Sequence, residues 1–275
     1  MPEGPEVRIT ADGLSAHMTG AYIQGIYVNS ASRYYNKPIS NHDNLHYPLY
    51  VQTVATKGKK ILIHCLDAYQ KPVIMVSALA MEGSWKLNSG KHAGIEIHLQ
   101  DENGNSKTVY FHDTRHFGTF HICFVQEELN FVLKDVGPDL LSEDISYEQY
   151  HSVISNSKLS RKEICWFLME QKFFSGVGNY ILAEVLYECG ILPTRLLGNL
   201  SDSDKYNLWY HSRRILQESY QCGGLTIATY FNMAGDRGVY ETKVYGKKYD
   251  PNGYPIYTGT FSNKGTSHYV PEIQI

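Results

Sequence analysis

Residues 168–193 read LMEQKFFSGVGNYILAEVLYECGILP, two apolar-periodic stretches divided by a Gly-x-Gly turn. Ahead of the turn, Ile164, Phe167, Leu168 and Gln171 mark one helical face. Beyond it, Ile181 with Val185 and Leu182 with Leu186 recur at i,i+4 on a second helix. Two helices joined by a Gly-rich hairpin make a helix–turn–helix type unit. The Gly176 and Gly178 backbone and the Asn179 side chain offer N–H donors where a helix begins, a natural seat for phosphate. The same glycines also suit a turn that needs only their conformational freedom.

Outward from this hairpin the chain changes character. Toward the C-terminus, Trp209, Leu216 and Tyr220 line a longer helix with Ser201 to Asp204 as capping candidates. After Cys222 the sequence is Gly- and Tyr-rich with short extended pieces. Toward the N-terminus, the first half is β-rich. Ile95 to Gln100 alternates apolar and polar, Asn103-Gly104 favours a tight turn, and Lys107 to His112 returns as a strand. Tyr22–Val28, Val51–Ala55, Ile61–Leu66, Val73–Ser77 and Thr119–Phe124 are further strands, and a helix runs from about Pro5 to Met18. The expected fold is α+β. A sandwich or flattened barrel fills 1–125, with a linker at 126–150, a helical unit at 151–222 and a loop with extended pieces at 223–275.

The 275 residues suffice for one large domain or two modest ones, and 43% of them are hydrophobic. No run of about 18 apolar residues suggests a membrane helix. The opening MPEGPEVRIT has acids and prolines where a signal peptide would be basic and apolar, so an intracellular setting is expected. The five cysteines are odd in number and form no CxxC pair, which argues against a disulfide scaffold and a structural zinc site. Net charge is −3, which does not advertise a nucleic-acid binder. Residues 1–149 carry 12 Lys+Arg against 17 Asp+Glu, while residues 150–275 carry 13 against 11. A local groove of positive charge remains compatible with that balance.

Four segments carry possible chemistry. Removal of the initiator Met would leave Pro2 with a free secondary amine, next to Glu3 and near Glu6. Such an amine attacks carbonyl-like carbons, and a neighbouring carboxylate can shuttle its protons. Pro and acids also suit an ordinary helix start. Asp113-Thr-Arg115-His116-Phe117-Gly118 places a cation beside an apolar wedge, fit for insertion into a base stack or for an exposed turn over a buried Phe. Met81, in Ala80-Met81-Glu82-Gly83, fits a core more readily than a wedge. Lys57-Gly58-Lys59-Lys60 can bind phosphate or solvate a turn. His112 and His116, with Asp113 between them, sit on strand and turn rather than on a helix and do not form a metal motif.

In order, MPEGPEV, KGK, AMEGSW, DTRHFG, the 168–193 stretch, GGLT and KVYGKKYDP resemble the Fpg/Nei family of DNA glycosylases across nearly the whole chain. The resemblance implies an N-terminal β-sandwich, a C-terminal helix–two-turn–helix domain, and repair of oxidised bases without a cofactor. It implies that Pro2 is the nucleophile, Glu3 the general acid, Glu6 a supporting hydrogen-bonding group and Lys59 a lysine beside the reacting sugar and its phosphate. His92 matches a phosphate-binding histidine. Met81, Arg115 and Phe117 match the residues that fill the gap left by a flipped base. Gly176, Gly178 and Asn179 match the phosphate clamp. The implied partner is damaged DNA, oxidised or abasic, duplex and also single-stranded, bound by a monomer. The nucleus, the cytoplasm and a viral factory all suit such an enzyme. The opening is more Nei-like, whereas the wedge residues and the GGLT stretch are more Fpg-like.

The C-terminus departs from the pattern. Most relatives carry four zinc-binding cysteines after VYG, but no Cys follows Cys222 here. The segment resembles the zincless finger of vertebrate and giant-virus Nei-like members, a hairpin held by packing of Tyr254, Ile256, Tyr257, Tyr269 and Val270. Where the family finger presents an Arg to the phosphates, this chain has Gly265, and Lys264 is the neighbouring cation that can substitute. A catalytically weakened lesion-binding protein of the same fold is therefore the alternative. An RNA-associated helix–turn–helix protein is a third reading, which leaves Pro2-Glu3 unexplained.

Overall fold

The computed structural model describes residues 1–226, 233, 235–263 and 265–275. Two compact units divide the chain. Of the described residues, the first comprises 1–2, 6–134, 233 and 235–238, and the second comprises 3–5, 135–226, 239–263 and 265–275.

From Glu6 onward α1 (Gly4–Met18) belongs to the first unit, and its Val7, Ala11, Leu14 and Met18 recur at helical spacing and are buried in one core. Eight strands follow: β1 (Tyr22–Val28), β2 (Leu49–Lys57), β3 (Lys60–Leu66), β4 (Pro72–Ala78), β5 (Ser84–Lys86), β6 (Ala93–Gln100), β7 (Ser106–His112) and β8 (Thr119–Cys123). They form one antiparallel sheet in the order β5-β7-β6-β1-β2-β3-β4-β8. Although β5 and β8 end this order, Trp85 of β5 lies 6.2 Å from Phe120 of β8, and its indole N–H donates to Ser77 of β4 at 3.1 Å. The sheet therefore folds over until its ends share a core, which is the β-sandwich. Register shifts in β1, β2 and β6 supply the bends that closure needs.

The 126–150 stretch, read from sequence as a linker, contains α2 (Gln126–Leu133) and the start of α3 (Tyr147–Ile154). Leu129 packs α2 on Leu62, Val76 and Cys123, on the outer face of the sheet. No Ser or Asp precedes α2. Instead Glu128 reaches back to accept from the Phe124 and Val125 amides at 2.7 and 3.4 Å.

The second unit adds α4 (Ile164–Met169), α5 (Asn179–Cys189) and α6 (Asp202–Gln221). Ile164, Phe167 and Leu168 are buried as the sequence predicts, but Gln171 lies past the end of α4. Ser201 caps α6 through the Asp204 amide at 3.1 Å. The buried face of α6 is Leu208, Ser212, Ile215, Leu216 and Ser219, with Trp209 and Tyr220 at its margins. The hairpin of β9 (Tyr257–Thr260) and β10 (Thr266–Tyr269) closes the unit. Ile256 and Val270 pack on Val244 and Ala183, whereas Tyr254 and Tyr257, expected to hold the finger, are 44% and 48% exposed. All five cysteines are free, and Cys65, Cys123 and Cys165 are buried. No helix among the described residues is long and apolar enough to cross a membrane.

Candidate active site and nucleic-acid interface

In the second unit, the Gly-rich hairpin is built around a carboxylate. Glu3 is 2% exposed, and its two oxygens accept from the backbone amides of Tyr180 and Ile181 at 2.9 and 3.3 Å. It thus occupies the positive end of α5, where an anion is favoured. Gly178 is required here: a Cβ on it would overlap the Glu3 carboxyl group. Gly4 donates to the Gly176 carbonyl at 2.9 Å, which fixes the segment carrying Glu3 against the hairpin. Gly176 has a φ of 110°, a conformation that favours glycine. The turn is held from below by Gln171, whose carboxamide accepts from the Gly176 amide at 3.1 Å and donates to the Val177 carbonyl at 2.9 Å.

Asn179 begins α5, and its side-chain oxygen is buried without a hydrogen-bond partner among the described residues. Gly265 of the finger turn comes so close that a Cβ there would lie 2.6 Å from that oxygen. Lys264 lies outside the described residues, as does most of the stretch after GGLT. Two further residues shape this region. Glu184, 1% exposed, accepts from the Lys243, Val244 and Tyr245 amides at 2.7–3.0 Å and so ties α5 to the chain leading into the finger. Burial raises its pKa against those hydrogen bonds. Burial, and then the Glu3 charge, also pushes up the Tyr245 phenol. Neither residue was singled out from sequence. A lone Glu inside the apolar run Tyr180–Leu186 was the available signal, because a buried carboxylate needs partners.

The other expected residues lie in the first unit. Pro2 is half-buried behind an exposed Met1, and Glu6 is buried with its carbonyl accepting from the Thr10 hydroxyl at 2.8 Å. Lys59 sits with Gly58 in the two-residue turn between β2 and β3. His92 is half-buried in the turn before β6, and its carbonyl accepts from the Asp113 amide at 3.1 Å. Met81, Arg115 and Phe117 are exposed on two neighbouring loops. The Arg115 guanidinium lies 5.3 Å from the Phe117 ring centroid and 3.6 Å from a Glu82 oxygen, joining the two loops. Asp113 closes the base of its loop by accepting from the Gly118 amide at 2.7 Å. Among the described residues, no three His, Cys, Asp or Glu side chains cluster as metal ligands.

Comparison with known proteins agrees with this layout. Residues 1–120 match the formamidopyrimidine-DNA glycosylase N-terminal domain, and residues 136–230 match the formamidopyrimidine-DNA glycosylase H2TH domain. The formamidopyrimidine-DNA glycosylase of Streptococcus agalactiae serotype III is 31% identical over 260 residues, covering 91% of this chain and 90% of that protein. The crystal structure of the MutM (Fpg) protein from Thermus thermophilus superposes with a TM-score of 0.85 at 25% identity, covering 99% of this chain and 98% of that one. Lactococcus lactis Fpg, solved with DNA containing an abasic site, gives a TM-score of 0.84 at 24% identity over 99% of both chains.

Proposed function

The chain belongs to the formamidopyrimidine-DNA glycosylase family of DNA repair enzymes, and on that premise we propose that it is a bifunctional glycosylase and abasic-site lyase acting on oxidised bases. Once Met1 is removed, the Pro2 nitrogen attacks C1′ of the damaged nucleotide. The base leaves with a proton, Glu3 being the general acid, the C1′–O4′ bond then breaks as O4′ takes a proton, and the ring-opened sugar is linked to the protein as a covalent iminium. Loss of the 3′ and then the 5′ phosphate by β- and δ-elimination cuts the strand. Glu6 supports the site, and Lys59 serves the sugar and its phosphate. His92, Asn179 and the Gly176–Gly178 backbone take neighbouring phosphates. Met81, Arg115 and Phe117 fill the gap left by the extruded base, offsetting its unstacking. The finger works without zinc.

The observation that carries this reading is Glu3, buried on the α5 N-terminus and next in sequence to Pro2. Support for the partner comes from relatives solved with damaged DNA, abasic and formamidopyrimidine-containing. The test is borohydride trapping on abasic and oxidised duplexes, with intact mass establishing that Pro2 is the N-terminus. A stable protein–DNA adduct is expected, lost when Met1 is retained and weakened in Pro2→Gly. A protein with free Pro2 that gives no adduct on any such substrate refutes the reading. Gly265, where the family presents Arg, favours one alternative, a lesion binder without strand cleavage. Binding to abasic DNA with no nicking would establish it.

A further inference from the structure

We propose that Arg33 is a positioning residue for the 113–118 loop, acting from a brace formed by residues 29–34. The inference rests on the reading of Arg115 and Phe117 as the wedge that replaces a flipped base. Those two side chains are exposed, and they hold to each other and to Glu82. Their aim must come from the backbone beneath them. Arg33 supplies it: its Nη1 donates to the His116 carbonyl at 3.1 Å and to the Gly118 carbonyl at 3.3 Å, on either side of Phe117. His116 has a φ of 58°, a conformation that a side-chain-bearing residue keeps only when its surroundings impose it.

The brace is itself fixed to the sheet. The Asn29 amide donates to the Gly94 carbonyl at 3.2 Å, and its carboxamide donates to the Ala93 carbonyl while accepting from the Ala31 amide at 3.0 Å. Tyr34 accepts from the Phe120 amide at 2.8 Å through its hydroxyl. A Cβ on Gly94 would lie 2.8 Å from Ser32 Cα, so the strand and brace backbones approach as closely as glycine permits. Asp113 thus holds the loop at its base, Arg33 holds it beside Phe117, and β6 anchors the brace. The sequence carries no sign of this, because both acceptors are main-chain carbonyls 83 and 85 residues away.

A wedge matters only when there is an opposite strand to leave unpaired. Single-turnover nicking should therefore separate the substrates. Arg33→Ala is expected to slow cleavage of a lesion duplex five- to tenfold and to leave cleavage of a single-stranded abasic oligonucleotide unchanged. Arg33→Lys should recover most of the duplex rate, and Arg33→Ala should add nothing to Phe117→Ala. Without DNA, trypsin should cut after Arg115 at least fivefold faster in Arg33→Ala. Equal loss on both substrates, no loss on the duplex, or unchanged proteolysis after Arg115 would overturn the proposal. A wild-type protein that cuts neither substrate refutes the functional reading, and the proteolysis comparison still decides the brace.

Discussion

At residue 178 a methyl group has nowhere to go. The φ of −133° is open to any residue, so Gly178→Ala tests the space that Glu3 occupies and nothing else. Base excision should fall by about 100-fold or more, the scale of a displaced general acid, while circular dichroism stays unchanged. Near-normal excision would remove Glu3 from the mechanism. Residue 265 makes the opposite point about family patterns. From sequence, an Arg there restores a phosphate contact, but its Cβ would meet the buried Asn179 oxygen at 2.6 Å. Gly265→Arg and Gly265→Ala should both push the Asn179 carboxamide aside and so weaken binding to an abasic duplex, by about 1.5–3 kcal/mol, the scale of a hydrogen bond to a charged group. Tighter binding by Gly265→Arg in a titration would show that Asn179 tolerates the move. Glu3 and the Gly178-Asn179 pair could be picked out because each lies in a short contiguous stretch, MPEGPE and SGVGN. The approach of Gly265 to Asn179 was not, because it joins residues far apart in sequence and leaves no pattern in either.

Among the elements, the finger shows how a hairpin is anchored without thiolate ligands. Asp250 is 5% exposed and accepts from the Asn252 and Tyr254 amides at 3.0 and 2.7 Å, and from the Tyr187 hydroxyl of α5 at 2.8 Å. One carboxylate thus shapes the turn and fastens it to a helix. Burial pushes Asp250 upward, but the hydrogen bonds from Tyr187, Tyr254 and Asn252 outweigh it and hold the group below the usual carboxylate range. Tyr187→Phe should cost about 1 kcal/mol, the net worth of a typical hydrogen bond, and should speed amide exchange in 250–256 first. Chelator treatment should leave melting and strand cleavage unchanged. A metal-dependent melting temperature would contradict the proposal that the finger works without zinc. The sequence 250–253, Asp-Pro-Asn-Gly, reads plainly as a turn, yet nothing in it points to Tyr187. Two other elements escaped for different reasons. The three residues of β5 are too few to show alternation, and α2 lacks an N-cap side chain, its capping done by Glu128 alone.

For the molecule as a whole, protonation sets the conditions under which it persists. His64, His112, His121, His211 and His268 are all held below the ordinary imidazole range, with burial the leading cause in each. The folded chain keeps them neutral while the unfolded chain protonates them near pH 6.5, so stability is full above that pH and declines below it. Glu188, which burial raises but Lys243 and Arg214 hold down overall, acts in the same sense at lower pH, losing its contribution as the carboxylate protonates. Glu184, raised by burial, opposes this trend by favouring the folded state when protonated. Five histidines outnumber it, so in scanning calorimetry the melting temperature should stay level from pH 8 to about pH 7 and fall steadily from there to pH 5. A flat or rising profile would mean that the imidazoles are more solvated than their burial implies. The family-wide order of motifs made the two-part α+β fold legible, whereas the burial of Met233 in the core of the first unit follows from contacts that no local pattern encodes. The sulfur chemistry of the fold has its own consequence. Burial lifts the thiols of Cys65 and Cys189 to about 12 and that of Cys123 to about 11, and raises Cys165 as well. Peroxide attacks thiolates, not thiols. These four side chains therefore offer peroxide little thiolate to oxidise, and they should remain free thiols under an exposure that oxidises an unshielded cysteine.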